Sequence, residues 1–167
     1  MKTVTVTFDV DSENCAADDQ TFANNIAAGI IEALSNKALC TLNKVTACDR
    51  DNYNIQCGDV GSNARRRRAV TELTVDIGVS GRVDEDANTT VVQNDIDMLA
   101  NEIGVLADSG GLPLEVGGEV IVSKQDSSSV TVEYMTTCVD GQMPVSDGCG
   151  KCGLKADENG WGFFRFF

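Results

Sequence analysis

The order of two strand-like and two helix-like patterns constrains the fold of this chain most strongly. Residues 3–10 alternate apolar and polar side chains, and residues 70–80 do the same. Each segment precedes one in which apolar residues recur every three or four positions, at 21–38 and at 89–108. Period two predicts a half-buried strand, and the longer spacing predicts one apolar face of a helix. The predicted order is therefore strand, helix, strand, helix.

Shorter segments complete the predicted topology. Residues 44–48 and 53–57 are candidates for short strands, and residues 119–134 form either a hairpin or one long bulged strand. Two helices with one apolar stripe each can cover one face of an antiparallel sheet. We therefore predict an α+β two-layer sandwich of βαββαβ, ferredoxin-like order over residues 1–136. Residues 137–167 lack apolar periodicity and are predicted to form a small, disulfide-rich C-terminal segment.

Seven cysteines fall into two clusters, separated by an 80-residue stretch without cysteine. Most of them lie beside Asp, Asn or Gly in polar segments, which favours disulfides and an oxidising compartment over buried free thiols. The odd count leaves one cysteine without a partner within this chain. The four cysteines of the first cluster allow three pairings. The predicted disulfide-forming residues are Cys15, Cys40, Cys48, Cys57, Cys138, Cys149 and Cys152.

The charge balance limits the classes of function. The formal net charge is −13, and such a surface repels nucleic acid and anionic membranes. The chain has no histidine, the commonest general base and metal ligand. We therefore predict a protein that is not an enzyme, with a small carboxylate-based hydrolase as the less favoured alternative. No stretch is long and apolar enough to span a membrane, and the alternating residues 1–8 do not form a signal peptide, so a secreted form would be a fragment or a mature chain.

Four consecutive arginines precede the second firm strand. A nucleic-acid patch fits poorly with so acidic a chain. A solvated loop is the simple interpretation, and a processing site is the more specific one. Secretory-pathway convertases of the furin type need an extended, exposed basic segment, which a polar loop between strands supplies. The predicted site has scission after Arg68 and consists of Arg65, Arg66, Arg67 and Arg68.

The element order, with this loop between the second and third strands, resembles the SEA domain over roughly residues 3–135. SEA and SEA-like domains are extracellular βαββαβ modules, many of which are cut in this loop while their halves stay associated. Their usual self-cleavage motif is a Gly-Ser followed by valines. Here Gly61-Ser62 is followed by Asn63-Ala64 and the four arginines. The resemblance therefore implies a cut by a convertase in place of autoproteolysis.

A second resemblance concerns the start of the C-terminal segment. Cys138, Gly141, Cys149 and Cys152 are similar to the opening of the cysteine-rich repeats of ephrin receptors and large matrix proteins. Residues 153–167 depart from that pattern. A redox role for the Cys-x-x-Cys pair would need a helix start after a strand, and zinc would need two more ligands. A structural disulfide role is therefore favoured.

Two polar motifs are weaker signals. Asn88-Thr89-Thr90 is a glycosylation sequon at a predicted turn, so Asn88 is a candidate glycosylation site. Asp9-x-Asp11-x-x-Asn14 resembles the start of a calcium loop, but it lacks the glycine at the sixth position and the glutamate at the twelfth. No cofactor is predicted, and weak calcium binding is left open.

The C-terminal residues hold five of the nine aromatic side chains. An exposed aromatic run is unfavourable in water, so it docks either on its own sheet or on a neighbouring subunit. The candidate assembly residues are Trp161, Phe163, Phe164, Phe166 and Phe167. Taken together, the sequence predicts an extracellular structural or adhesion module of a larger secreted or cell-surface protein, with other extracellular proteins or copies of itself as partners. The alternative is a subunit of a self-assembling extracellular filament or matrix.

Overall fold

The computed structural model describes residues 1–16, 18–58, 70–82, 89–132, 142–145 and 148–151, the last two ranges as backbone. The chain divides into two compact units, Met1–Glu133 and Tyr134–Phe167. Short 3-10 turns lie at Ser12–Asn14 and Arg50–Asn52. The larger unit contains, in chain order, β1 (Lys2–Asp11), α1 (Gln20–Asn36), β2 (Thr41–Leu42), β3 (Val45–Thr46), β4 (Tyr53–Cys57), β5 (Val70–Gly81), α2 (Thr89–Asp108), β6 (Pro113–Val116), β7 (Glu119–Val122) and β8 (Ser129–Val132).

The main sheet is built around the two long strands. β1 and β5 pair antiparallel over ten residue pairs, from Lys2 opposite Val79 to Asp11 opposite Val70. β8 pairs with the other edge of β1, while β4 and β3 pair with successive parts of the other edge of β5. β2 adds to β3. The sheet is antiparallel in every pair, which confirms the predicted α+β sandwich. The elements β1, α1, β4, β5, α2 and β8 follow the βαββαβ order, and the short strands β2, β3, β6 and β7 are additions to it.

The alternation in the two long strands separates a buried face from an open one. Phe8 of β1 and Leu73 of β5 stand opposite each other on the buried face. Both helices cover this face, because their apolar stripes join the same cluster of buried side chains. Burial of this aliphatic surface is the main stabilising term of such a fold. Its largest fully buried side chains include Phe8, Ile26, Ile30, Leu34, Leu73, Ile77, Leu99 and Ile103.

The start of α1 and the end of α2 are each stabilised by a local capping arrangement. The Asp19 side chain accepts a hydrogen bond of 2.8 Å from the backbone N–H of Thr21 and so caps α1. α2 closes at Gly110, whose φ of +70° is the left-handed conformation that favours glycine. The N–H of Gly110 then donates to the Ala107 carbonyl, and the N–H of Gly111 donates to the Leu106 carbonyl. Both arrangements are common local signals for the start and the end of a helix.

The segment after α2 differs from the prediction. β7 pairs with β6, and β8 pairs with β1, so the described part of the predicted segment, residues 119–132, forms neither a hairpin nor one long strand. The β6–β7 turn is Gly117–Gly118, with φ of +61° and +84°. A two-residue turn with two positive φ angles is the connection that matches the twist of a hairpin. Leu114 of this hairpin is buried against α1.

Within its described residues, 142–145 and 148–151, the smaller unit contains one antiparallel strand pair. Its strands are β9 (Gln142–Val145) and β10 (Gly148–Lys151), with Gln142 opposite Lys151 and Val145 opposite Gly148. The backbone of Cys149 therefore lies in β10.

Candidate functional site

The predicted processing loop connects two adjacent antiparallel strands, β4 and β5. Strand pairing ends where Cys57 stands opposite Leu73. One residue further, the N–H of Gly58 donates to the Glu72 carbonyl at 2.7 Å, and the Thr71 hydroxyl donates to the Gly58 carbonyl at 2.7 Å. The described ends of the loop are therefore held side by side. Arg65–Arg68 themselves lie outside the described residues.

Two disulfides brace this region, and they settle the pairing of the first cysteine cluster. Cys15, just after the first 3-10 turn, is bonded to Cys57, the last residue of β4, with Cα atoms 6.0 Å apart. Cys40 is bonded to Cys48 across the small β2–β3 hairpin, with Cα atoms 5.0 Å apart. Both distances lie in the usual Cα–Cα range of a disulfide. The predicted disulfide character of these four cysteines is confirmed, and it is typical of an oxidising compartment.

Both disulfides close loops upstream of the arginines. A break after Arg68 would therefore leave Cys15, Cys40, Cys48 and Cys57 together in the N-terminal piece. The C-terminal piece would begin one residue before β5, whose ten residue pairs with β1 and five with β4 join the two pieces. Because β5 also contributes Leu73, Val75, Ile77 and Val79 to the core, the pieces share one apolar interior.

The other predicted site residues lie outside the described side chains. Asn88 directly precedes α2, which begins at Thr89. Cys138 and Cys152 are outside the described residues, and Cys149 is described as backbone in β10. The aromatic residues Trp161 to Phe167 are likewise outside the described ranges. These glycosylation, disulfide and assembly assignments stay predictions.

The open face of the sheet carries a polar groove that the sequence analysis did not single out. Its volume is about 440 Å³, and Thr5, Asn54 and Asp76 line it together with Thr131 of β8. Asp76 accepts hydrogen bonds from the Thr5 hydroxyl at 2.6 Å and from the Asn54 amide at 3.1 Å. The alternation that placed Thr5 and Asp76 on the polar face was the available signal. Each carboxylate oxygen of Asp76 therefore already accepts a hydrogen bond from a side chain of the protein.

Further along the same face, Lys124 lies between two carboxylates. Its Nζ is 2.8 Å from Glu72 Oε1 and 3.6 Å from Asp9 Oδ1. Asp9 and Glu72 stand directly opposite each other in β1 and β5, where like charges repel. The hydrogen bond with Glu72 raises the pKa of Lys124, and the charge of Asp9 adds to this. The ammonium group therefore neutralises a repulsive cross-strand pair.

The residues of the candidate calcium motif lie in a strand and a 3-10 turn and do not form a single calcium-binding loop. Asp9 lies within β1 beside Lys124, Asp11 ends the strand, and Asn14 ends the following 3-10 turn. Among the residues that the structure describes, no group of three or more acidic, cysteine or histidine side chains is placed to hold a metal ion.

Among the titratable side chains that the structure describes, the Tyr53 phenol is one that lies largely out of solvent. Burial raises the pKa of its phenol far above the ordinary value, and the hydroxyl donates a 2.7 Å hydrogen bond to the Ala47 carbonyl. The bond ties β4 to the residues just after β3. Its role is therefore structural, because a phenol held neutral and already bonded to backbone is a poor proton donor for a reaction.

No helix in the described part of the chain has the length and apolar character needed to cross a lipid bilayer. No protein-family model and no curated protein matches this chain.

Proposed function

We propose that this chain is a non-enzymatic extracellular module with a structural or adhesive role, part of a larger secreted or cell-surface protein, and that a secretory-pathway convertase cuts it after Arg68. The observation that carries the proposal is the position of the arginines. They lie in the connection between β4 and β5, whose ends are fixed by Cys57, Gly58 and Thr71. The SEA-like interpretation is part of this proposal.

The disulfides support the extracellular part of the proposal. Two of them occur in a unit of modest size, and each closes a loop that connects different secondary-structure elements. Such cross-links persist in secreted proteins and are rare where glutathione keeps thiols reduced. The acidic surface, at net charge −13, fits a partner that is a protein or a second module and disfavours nucleic acid.

Strand pairing supports the idea that the cut module stays assembled. The C-terminal piece contributes β5, which lies between β1 and β4, and it contributes α2, whose buried face includes Leu99 and Ile103. Removing these from the N-terminal piece would expose the centre of the core. Since apolar burial drives folding, the two pieces are expected to remain one particle after scission.

Secretion from cultured animal cells tests the proposal. We expect the wild-type chain to be cut, to elute as one particle under native conditions, and to separate into two bands on a denaturing gel without reductant. Separation without reductant follows because both described disulfides lie within residues 1–68. Arg68→Ala should stay uncut, and Arg82→Ala, an exposed arginine beyond the loop, should be cut like the wild type.

Three results would contradict the proposal. An uncut wild-type chain would remove the processing site. Pieces that separate under native conditions would show that the shared core does not hold them together. Pieces that come apart under denaturing conditions only after reduction would show a covalent link between them that the described disulfides do not provide.

A further inference from the structure

The outward face of α2 carries an apolar stripe that is separate from its buried face. Val91, Met98 and Val105 are 52%, 52% and 70% exposed. They recur at intervals of seven residues, so they lie in line along the helix, about 10.5 Å apart and over about 21 Å in all. Single exposed apolar side chains are ordinary on protein surfaces. Three at a seven-residue interval form one apolar line along the helix, which supplies one of the two apolar positions per heptad that packed helices use.

Acidic side chains border one side of the stripe, and asparagine side chains border the other. At helical spacing, Asp95 and Glu102 fall on one side, and Asn94 and Asn101 fall on the other. The Asp95 carboxylate accepts a hydrogen bond of 2.9 Å from the amide of Asn43. α2 contains four acidic residues and no lysine or arginine. The stripe is therefore an apolar line along an acidic helix.

The charge pattern distinguishes between the molecules that could cover the stripe. A second copy of the chain would bring the same acidic border against Asp95 and Glu102, and the net charge of −13 on each copy would oppose their approach. An anionic lipid surface is disfavoured for the same reason. A helix with an apolar stripe and lysine or arginine beside it matches both the spacing and the charge.

We propose that the Val91–Met98–Val105 face of α2 is a docking surface for a basic amphipathic helix of a partner protein. The apolar stripe supplies the contact area, and Glu102 and Asp95 supply charge complementarity. Met98 at the centre suits this role, because its flexible thioether adapts to differently shaped partners. The surface lies in the larger unit and needs no scission, so uncut Arg68→Ala protein should bind as well as the wild type.

The probe is a synthetic peptide of about 20 residues, long enough to follow the stripe, with leucine at seven-residue intervals, lysines beside the leucines and alanine elsewhere. Its binding to the full chain is measured by isothermal titration calorimetry at low and high salt. A peptide of the same composition in scrambled order is the first control. A peptide with glutamate in place of lysine is the second.

We expect the basic peptide alone to bind, more weakly at high salt. Met98→Lys and Val105→Lys should each reduce affinity by about tenfold or more, since each puts a charge into the centre of the contact. Gln93→Lys makes the same charge change at an exposed position off the stripe and should leave affinity unchanged. Circular dichroism verifies that each variant is folded.

Several results would overturn the inference. Equal binding of the scrambled peptide would show that charge alone is recognised. Unchanged binding by both stripe variants would place the contact elsewhere. Sedimentation of the full chain as a dimer that Val105→Lys dissociates would show that a second copy occupies the surface. Failure of the proposed cleavage would affect none of these results, so the two proposals are tested separately.

Discussion

The Cys15–Cys57 disulfide joins the residue after the 3-10 turn that follows β1 to the last residue of β4, and its Cα atoms lie 6.0 Å apart at a sequence separation of 42. This bond ties down the strand that leads directly into the arginine segment. Cys40 and Cys48, by contrast, close a loop whose cysteines are separated by 8 positions. The two bonds therefore constrain the unfolded chain to very different extents.

Removing the disulfides separately should show this difference. Under the chain-entropy model the longer loop contributes about 4 kcal/mol and the shorter one about 2.5 kcal/mol. We expect the Cys15→Ser/Cys57→Ser double variant to lose more free energy of unfolding than Cys40→Ser/Cys48→Ser, as measured by urea denaturation. Equal losses would show that the loops do not act through the entropy of the unfolded chain.

The two helix ends give a matched test of backbone strain. Ala38, just after α1, has a φ of +57°, and Gly110, just after α2, has a φ of +70°. A residue with a Cβ pays about 1 kcal/mol in this conformation relative to glycine. Ala38→Gly should therefore stabilise the protein by about 1 kcal/mol, and Gly110→Ala should destabilise it by a similar amount.

Thermal unfolding of both variants checks this prediction. Ala38 is exposed, and a Cβ at Gly110 would meet its nearest neighbour, the Ser123 carbonyl, at an ordinary 3.5 Å, so neither change alters core packing. Two variants that shift stability in the same direction would contradict the role of φ at these positions.

The sequence predicts the long, regular elements of the fold, and it leaves the β6–β7 hairpin and the long-range pairings open. β1, β5 and the two helices were found because each repeats its pattern over many residues. The β6–β7 hairpin was missed although Gly117–Gly118 is a signal for a two-residue turn, because four-residue strands carry little periodicity. The pairing of β8 with β1 depends on contacts between distant segments. The disulfide pairing depends on them too, and no spacing rule could select it from three possibilities.

The candidate functional residues divide in the same way, into local motifs that the sequence reveals and features that depend on the fold. The arginine run and the sequon are local motifs, so the sequence alone located them. The groove at Thr5 and Asp76 requires two strands to meet at a particular register, which the sequence does not specify. The outward stripe of α2 became visible once the inward stripe containing Leu99 had fixed which face is buried.

Tyr53 should govern the response of stability to alkaline pH. Because burial raises the pKa of the folded phenol above its unfolded value of about 10, its contribution is fully present below pH 10 and falls as pH rises beyond it. Tyr53→Phe should cost about 1 kcal/mol at neutral pH through the lost bond to Ala47, and it should flatten the decline above pH 10.

Urea midpoints at pH 8 and above pH 10 measure this effect, and ultraviolet absorbance follows ionisation directly. The chain has two tyrosines, so the difference in absorbance between the wild type and Tyr53→Phe isolates the ionisation of Tyr53. If Tyr53→Phe declines with pH as steeply as the wild type, the buried phenol does not control alkaline stability.

Lys124 offers a test of the cross-strand charge arrangement. Since its hydrogen bond with Glu72 is the largest cause of its raised pKa, Glu72→Gln should lower that pKa more than Asp9→Asn does. The raised value means that the ammonium group persists above pH 10.5, so any stabilisation by this contact declines only as pH rises past that point. Side-chain NMR of the lysines resolves the titration. A larger effect of Asp9→Asn would reverse the assigned order.

The central claim is that cross-linked cysteines hold a mostly aliphatic two-layer fold in an oxidising compartment. The most direct measurement is the mass of natively isolated protein after thiol alkylation in denaturant without reductant, followed by peptide mapping. We predict no alkylation at the four cysteines of the first cluster and recovery of peptides joined through Cys15–Cys57 and Cys40–Cys48. Alkylation of all seven cysteines would contradict the account.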